Sequence, residues 1–200
     1  NSIKVLSGAE IVTLTAGKNN TRLGENAGNS ITADGNYNVT IGDEAGTALT
    51  VGDNNALIGY HAGDATTTGA NNVALGSNAL GANTTGIRNT AIGPYALYLN
   101  TIGQYNTACG NFALRRSTTA SYNTAVGYDA LQNNTIGTGN TAVGKSALYT
   151  NTTAVNNVAV GYEALKMNTT TSNLVAIGKG ALRVNTTGTS NTAIGVNALT

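Results

Sequence analysis

The sequence predicts an all-β fold, a parallel β-solenoid of 17-residue coils, on two observations. A glycine that follows an aliphatic residue, or Cys109 in one copy, recurs eleven times; the first interval is 18 residues and the other nine are 17. Repeats of helix pairs need about 30 residues or more, and the units are rich in Asn, Thr and Gly, which form helices poorly. The glycines are Gly24, Gly42, Gly59, Gly76, Gly93, Gly110, Gly127, Gly144, Gly161, Gly178 and Gly195.

Eleven copies of one unit fill residues 20–200, with the consensus Asn-Thr-Ala-Ile-Gly-x-x-Ala-Leu-x-x-Asn-Thr-Thr-Gly-x-x, numbered here as positions 1 to 17. Position 1 is Asn in every copy except one, which has Leu174, and position 8 is always Ala. Position 9 is Gly in the first three copies and Leu in the other eight. Besides glycines 59 to 178, the columns predicted to be structural include Ala79, Ala96, Ala113, Ala130, Asn72, Asn89, Asn106, Asn123, Thr84, Thr101, Thr118 and Thr135.

Each copy reads as one coil. Positions 1–5 alternate as a strand does, with positions 2 and 4 on one face and positions 1, 3 and 5 on the other. Gly at position 5 permits a turn with positive φ, and positions 8–9 return an apolar pair inward. Positions 12–15 predict a short strand and a turn. Residues 1–19 do not fit the repeat; we expect a cap or a link to a preceding segment, with a strand at residues 11–15.

Stacked coils place identical residues in columns along the rod. We expect amide-to-amide bonds along the Asn column at position 1 and hydroxyl bonds along the Thr column at position 13. The coil is thin, and a chain with one cysteine has no internal disulfide to reinforce it. We therefore expect one face of the strand inside the coil and the other against neighbouring chains, with Ala and Gly columns allowing close approach. A homotrimer closes such an assembly around one axis.

The segments Asn123–Leu131 and Asn140–Leu148, both Asn-Thr-Ala-Val-Gly-x-x-Ala-Leu, resemble the repeats of phage tail-fibre shafts and, more distantly, the heads of trimeric autotransporter adhesins. The resemblance covers about nine-tenths of the chain. It implies a left-handed parallel β-roll, three chains to a fibre, and an extracellular place on a virion fibre or a cell surface. No coiled-coil stalk or membrane anchor of those families is visible.

Charge and hydropathy exclude two classes of partner. A net charge of +1 gives no general attraction to nucleic acid, and no apolar run approaches the ~20 residues of a membrane span. The charge is uneven: residues 1–70 hold seven acids and three bases, and residues 71–200 hold two acids and seven bases. This uneven distribution of charge would favour binding of an anionic glycan at one end. The alternative explanation is that the surface charges vary by chance along the chain.

Residues of catalytic type are few, and we predict neither an enzyme nor a bound cofactor or metal. His61, the sole histidine, lies at variable position 7 and reads as an exposed turn residue. Cys109 replaces an aliphatic residue and reads as a small buried hydrophobe. The glycines around Thr138 lack the Lys-Ser/Thr of a phosphate loop. A calcium site among Asp34, Asp43, Glu44, Asp53 and Asp64 competes weakly, because their spacing matches no calcium loop.

Any recognition must use the variable positions. The candidates are aromatic and basic residues: Tyr60, Tyr128 and Tyr162 at position 6, Tyr98 and Tyr149 at position 10, and Arg115 and Arg116. They suit a host-surface glycan, with packing between chains as the competing explanation.

The predicted function is a non-catalytic fibre shaft or adhesin-like surface protein that presents or spaces a binding element. One alternative is an open extracellular filament, since solenoid ends expose unpaired strand edges. The other is an ice-binding solenoid with Thr columns at positions 13 and 14. Adjacent strand residues point to opposite faces, which argues against a flat two-column Thr face.

Overall fold

A computed structural model describes residues 16–200, which form eleven three-residue strands joined by turns. The predicted strand at residues 11–15, and all of the proposed cap but residues 16–19, lie outside the described part. The strands are β1 (Thr21–Leu23), β2 (Val39–Ile41), β3 (Ala56–Ile58), β4 (Val73–Leu75), β5 (Thr90–Ile92), β6 (Thr107–Cys109), β7 (Thr124–Val126), β8 (Thr141–Val143), β9 (Val158–Val160), β10 (Val175–Ile177) and β11 (Thr192–Ile194).

All eleven strands belong to one sheet and follow each other in chain order. Every neighbouring pair is parallel and in register, so that Ala91 lies beside Ala108, 17 residues later. One copy is therefore one coil, and the predicted parallel β-solenoid is confirmed. With about 4.8 Å between strands, the sheet is on the order of 50 Å long.

Each coil carries a single strand, at positions 2–4, and the second strand predicted at positions 12–15 is wrong. There the amides of Thr84 and Thr85 both donate to one acceptor, the carbonyl of Thr101 in the next coil, at 2.9 and 3.3 Å. Neighbouring residues of a strand send their amides in opposite directions. The segment is a bend that follows the stack without forming a ladder.

The interior is built from positions 1, 3, 8, 9, 12 and 15. In the fifth coil Ala91, Ala96 and Leu97 are fully buried, as are Asn89 and Asn100. The Ala column at position 3 therefore faces inward, and the aliphatic residues at position 4 face outward. Our expectation that the Ala and Gly columns admit neighbouring chains is wrong: the backbone that approaches Gly127 belongs to Gly144 of the same chain's next coil.

Position 9 adopts a left-handed backbone whether it is Gly or Leu. Gly63 has φ 57° and Leu97 has φ 51°, and the other copies are similar. The left-handed region costs a leucine roughly 1–2 kcal/mol, which complete burial of its side chain, worth about 1.5–3 kcal/mol, offsets. This geometry turns the Leu side chain into the coil directly after the Ala at position 8.

In the first three coils, a different side chain fills the space that the position-9 leucine fills in the later coils. Where position 9 is Gly, position 3 is larger: Thr40 in the second coil and Leu57 in the third. A Cβ atom added to Gly63 would lie 2.8 Å from Leu57 Cδ2, and one added to Gly46 would lie 2.9 Å from Leu57 Cδ1. In the third coil, then, Leu at position 3 occupies the volume that Leu at position 9 occupies in later coils.

This exchange predicts a strong coupling between positions 3 and 9. Leu57→Ala alone should cost about 2–5 kcal/mol through a cavity, and Gly63→Leu alone about 1–3 kcal/mol through overpacking. The double variant recreates the Ala-and-Leu arrangement of the fifth coil, so we expect it to recover about 2 kcal/mol of the summed loss. Urea unfolding of the four proteins measures this coupling, and strict additivity would contradict it.

Candidate recognition surfaces

A buried asparagine column fixes the register of the coils. The Asn123 Oδ1 atom accepts the backbone N–H of Asn140 at 3.0 Å, and its Nδ2 donates to the carbonyl of Gly137 at 2.9 Å. The same Nδ2 reaches Asn106 Oδ1 at 3.3 Å, which is the predicted amide-to-amide bond. The side-chain-to-backbone bonds recur more regularly than the amide-to-amide bonds, at Asn72, Asn89 and Asn106 among others.

A second buried asparagine, at position 12, shares the same acceptor, and the sequence predicted only a short strand and a turn there. Asn134 Nδ2 donates to the carbonyl of Gly137 at 2.9 Å, beside the donor from Asn123. Asn151 Nδ2 then bonds Asn134 Oδ1 at 2.7 Å. Two fully buried amides thus satisfy one inward carbonyl, which closes the coil.

The threonine column at position 13 bonds along the rod, but to carbonyls rather than to other hydroxyls. Thr84 Oγ1 donates to the carbonyl of Thr101 at 3.1 Å, Thr101 to that of Thr118 at 3.1 Å, and Thr118 to that of Thr135 at 3.2 Å. Positions 13 and 14 both lie on the outside of the bend, so the argument from opposite faces is wrong. The position-13 donors are nevertheless used within the stack, which removes them from a water-facing array.

The outer side of the sheet, formed by positions 2 and 4 of all eleven strands, is called the sheet face. It consists of Thr, Val, Ile, Leu, one Ala and one Cys, and no charged residue lies on it. Leu75 is 47% exposed and Ile92 is 38% exposed. Cys109 is only partly buried in this face, so its predicted enclosure is wrong. A long, uncharged and partly apolar surface results.

Beside the sheet face, positions 6, 7 and 10 of coils five to ten form a corner that we call the ridge. The Lys145 ammonium lies between two rings, 5.8 Å from the centre of Tyr128 and 5.9 Å from that of Tyr162. The Arg115 guanidinium lies 5.4 Å from the ring centre of Phe112 and 5.9 Å from that of Tyr95. Cations and rings therefore alternate along this corner.

The structure brings some of the predicted recognition residues together and separates others. Tyr98 packs edge-on against Tyr95 at 5.3 Å, within the ridge that also holds Tyr128, Tyr162 and Arg115. Tyr149, at position 10 of the eighth coil, also belongs to the ridge, whereas Tyr60 of the third coil lies outside it, against His61. Arg116 points elsewhere, into a shallow groove lined by Asn133, Thr135, Thr150 and Thr152.

Sequence reasoning missed several members of the ridge, among them Tyr95, Phe112, Lys145 and Lys179. The first two lie at position 7, where the backbone is left-handed, with φ 56° and 61°. The signal for Lys145 was present, because position 6 reads Tyr, Lys, Tyr, Lys through coils seven to ten.

The candidate catalytic residue His61 pairs with one candidate calcium ligand, and a second candidate ligand accepts a backbone hydrogen bond. His61 Nδ1 lies 2.8 Å from Asp64 Oδ2 and the ring is partly buried, so His61 is less exposed than predicted. Asp53 accepts the backbone N–H of Asn36 at 2.6 Å. Among residues 16–200, no group of three metal-ligating side chains occurs, and no helix long and apolar enough to span a membrane is found.

Two carboxyl groups lie on the ridge. Burial raises the pKa of Asp129 above its ordinary value, and the nearby Lys145 and Arg115 oppose that rise. Glu163 accepts hydrogen bonds from Lys166 Nζ and Arg183 Nε, each at 2.7 Å. The bond from Lys166 is the largest influence on the pKa of Glu163, and burial, the second largest, opposes it. The bond from Arg183 and the two positive charges add to that of Lys166 and hold the pKa at about 2.

The Glu163 cluster predicts a pH-dependent stability. A folded pKa below the unfolded one gives stability that is fully present above pH 4.5 and lost as the pH falls towards 2. We expect Glu163→Gln to cost about 1 kcal/mol at neutral pH, because partly exposed ion pairs are screened. Thermal unfolding at several pH values should show the two proteins converging as the pH drops from 4.5 to 2. A difference in stability between the two proteins that persists at about pH 2 would contradict this role of Glu163.

Comparison with protein-family models, with curated proteins and with solved structures finds no match for this chain.

Proposed function

We propose that the chain is a non-catalytic structural shaft of an extracellular fibre, on a virion or a cell surface, in which three copies associate through their sheet faces. The observation that carries the proposal is the uncharged sheet face, which runs the length of the stack. Each strand contributes two outward side chains, and none of them is charged in any of the eleven strands. The side chains at position 4 are aliphatic in ten coils.

The size of the sheet face supports the proposal that another protein surface covers it. A stripe about 50 Å long and three residues, or about 10 Å, wide covers on the order of 500 Å². The stripe is partly apolar, since position 4 is aliphatic in ten coils and position 2 is Thr in six. Large patches with exposed apolar side chains often mark an interface. The sheet is regular and parallel, and parallel sheets are commonly covered on both faces.

A second copy is the fitting occupant, because a uniform stripe is matched best by a surface of the same length and period. Three copies close around an axis parallel to the rod, which leaves no sheet face uncovered. This geometry, with the left-handed winding, is what the resemblance to tail-fibre shafts implies. The regular backbone and side-chain columns suit a spacer rather than an enzyme.

Sedimentation velocity tests the proposal. Lysine at an outward position of the sheet face adds unpaired charges at the axis of the assembly, and it leaves the coil interior untouched. We expect the unaltered protein to sediment as a trimer and Val126→Lys with Val143→Lys to sediment as a monomer. The matched control is Ile136→Lys with Thr153→Lys, which adds the same two charges to the exposed position 14 of coils seven and eight. A monomeric unaltered protein, or a trimer that survives the paired substitution, would overturn the proposal.

A further inference from the structure

We infer that the ridge binds a linear anionic polysaccharide that lies along the rod and carries one negative charge for every two sugars. The inference rests on the proposed function, since it takes the shaft to be an extracellular surface. It starts from position 6 of coils seven to ten, where Tyr128, Lys145, Tyr162 and Lys179 follow one another.

The alternation sets a spacing. Successive coils rise by about 4.8 Å, so the two rings are separated by about 10 Å, as are the two ammonium groups. One coil is close to the length that one hexose adds to an extended polysaccharide. A sugar over each tyrosine and an acidic sugar over each lysine would then repeat in step with the coils.

The side chains at these positions are available. Tyr128 is 47% exposed and Tyr162 is 44% exposed. Within residues 16–200 neither the Lys145 nor the Lys179 ammonium has a hydrogen-bond acceptor, whereas Lys166 and Arg183 are both engaged by Glu163. Lys145 and Lys179 are therefore free cations, and both belong to the alternating column.

The ridge is also more basic than the chain as a whole. Positions 6 and 10 of coils six to ten hold Arg115, Lys145, Lys166, Lys179 and Arg183, and position 7 holds Asp129 and Glu163, which gives a net charge of +3 against +1 for the whole chain. A local positive field attracts an anionic chain. The partly exposed rings of Tyr128 and Tyr162 add apolar surface against which sugars can pack, and they give the ridge a preference that charge alone lacks.

Titration calorimetry with a hyaluronan decasaccharide tests the inference, because that polymer alternates a uronic acid with a neutral amino sugar. We expect binding to the unaltered protein. Lys145→Met with Lys179→Met, which keeps the aliphatic stems on the rings, should weaken it at least tenfold, and Tyr128→Ala with Tyr162→Ala should do the same. The control is Tyr105→Ala with Tyr122→Ala, which removes a stacked pair at position 17, on the other side of the sheet face, and should change binding less than twofold.

Three results would overturn the inference. They are no binding of hyaluronan, binding by both ridge variants as tight as by the unaltered protein, or binding of polyglutamate or of a neutral chitin oligosaccharide as tight as that of hyaluronan. Thermal unfolding of each variant shows whether the rod is intact. Sedimentation of the same samples separates the two proposals: trimers without binding would refute the polysaccharide site alone. Monomers that bind would refute the shaft assembly alone.

Discussion

Replacement of Gly127 by valine should destabilise the protein by about 3–5 kcal/mol, one of the largest effects expected of any single substitution. Gly127 has φ 131°, a backbone that L side chains rarely adopt. A Cβ atom there would lie 2.8 Å from both the carbonyl carbon and the oxygen of Gly144. Both neighbours are backbone atoms of the next coil, so neither can move aside without opening the stack.

Chemical denaturation at a fixed protein concentration measures the loss, since self-association makes the apparent stability depend on concentration. Hydrogen exchange should show the loss centred on coils seven and eight, because a solenoid is held by contacts between neighbouring coils. Gly139→Asn is the matched control in the same coil. Its φ is 68°, which asparagine tolerates, and its close neighbour is the movable side chain of Asn156. Equal losses from the two substitutions would contradict this account of the glycine column.

Replacement of Asn123 by leucine should cost about 3–5 kcal/mol through lost hydrogen bonds rather than through steric overlap. Without the amide, the buried N–H of Asn140 loses its acceptor, and the carbonyl of Gly137 keeps only the donor from Asn134. Urea unfolding measures the effect. A loss below about 1 kcal/mol would show that these buried hydrogen bonds stabilise the fold no more than typical hydrogen bonds, which only replace bonds to water.

The opposite substitution can be made at Leu174, because this residue is a leucine at position 1, where the other coils have asparagine. Its backbone N–H donates to Asn157 Oδ1 at 2.9 Å, but it returns no side-chain acceptor to the next coil. Leu174→Asn should offer one to Asn191 and a second donor to the carbonyl of Gly188. We expect a gain of up to about 1 kcal/mol, measured by the same unfolding experiment. A loss larger than that would contradict the role assigned to the column.

The period of the glycines predicted that the coils stack and in which register. When the period is constant, only one register places identical residues of successive coils beside each other. The orientation of the strand was harder to predict. Hydrophobicity alone would put Ile92 inside and Ala91 outside, yet the reverse is observed. The lumen of a short coil already holds Leu97, Asn89 and Asn100, so at position 3 volume outweighs hydrophobicity.

The left-handed leucines illustrate a signal that was present and not used. Leucine at φ 51° contradicts local backbone preference, so no propensity argument would place Leu97 there. Yet the first three coils carry Gly at the same position, which is the residue that such a backbone favours. Comparison of copies within one chain could have identified the turn. The ridge was partly foreseen through its tyrosines, but Lys145 gains meaning only when the tyrosines of the preceding and following coils are seen as its neighbours.

The central claim is that three chains lie parallel and in register with their sheet faces together, and a single engineered cysteine tests it most directly. In a Cys109→Val background, Val160→Cys places one thiol on the sheet face of the ninth coil, away from the middle of the stack. We expect a tris-maleimide to join three chains at that residue and to give a covalent trimer on a denaturing gel. Antiparallel pairs would hold these thiols apart, opposite Ile58 of the third coil. Monomers alone after cross-linking would contradict the account.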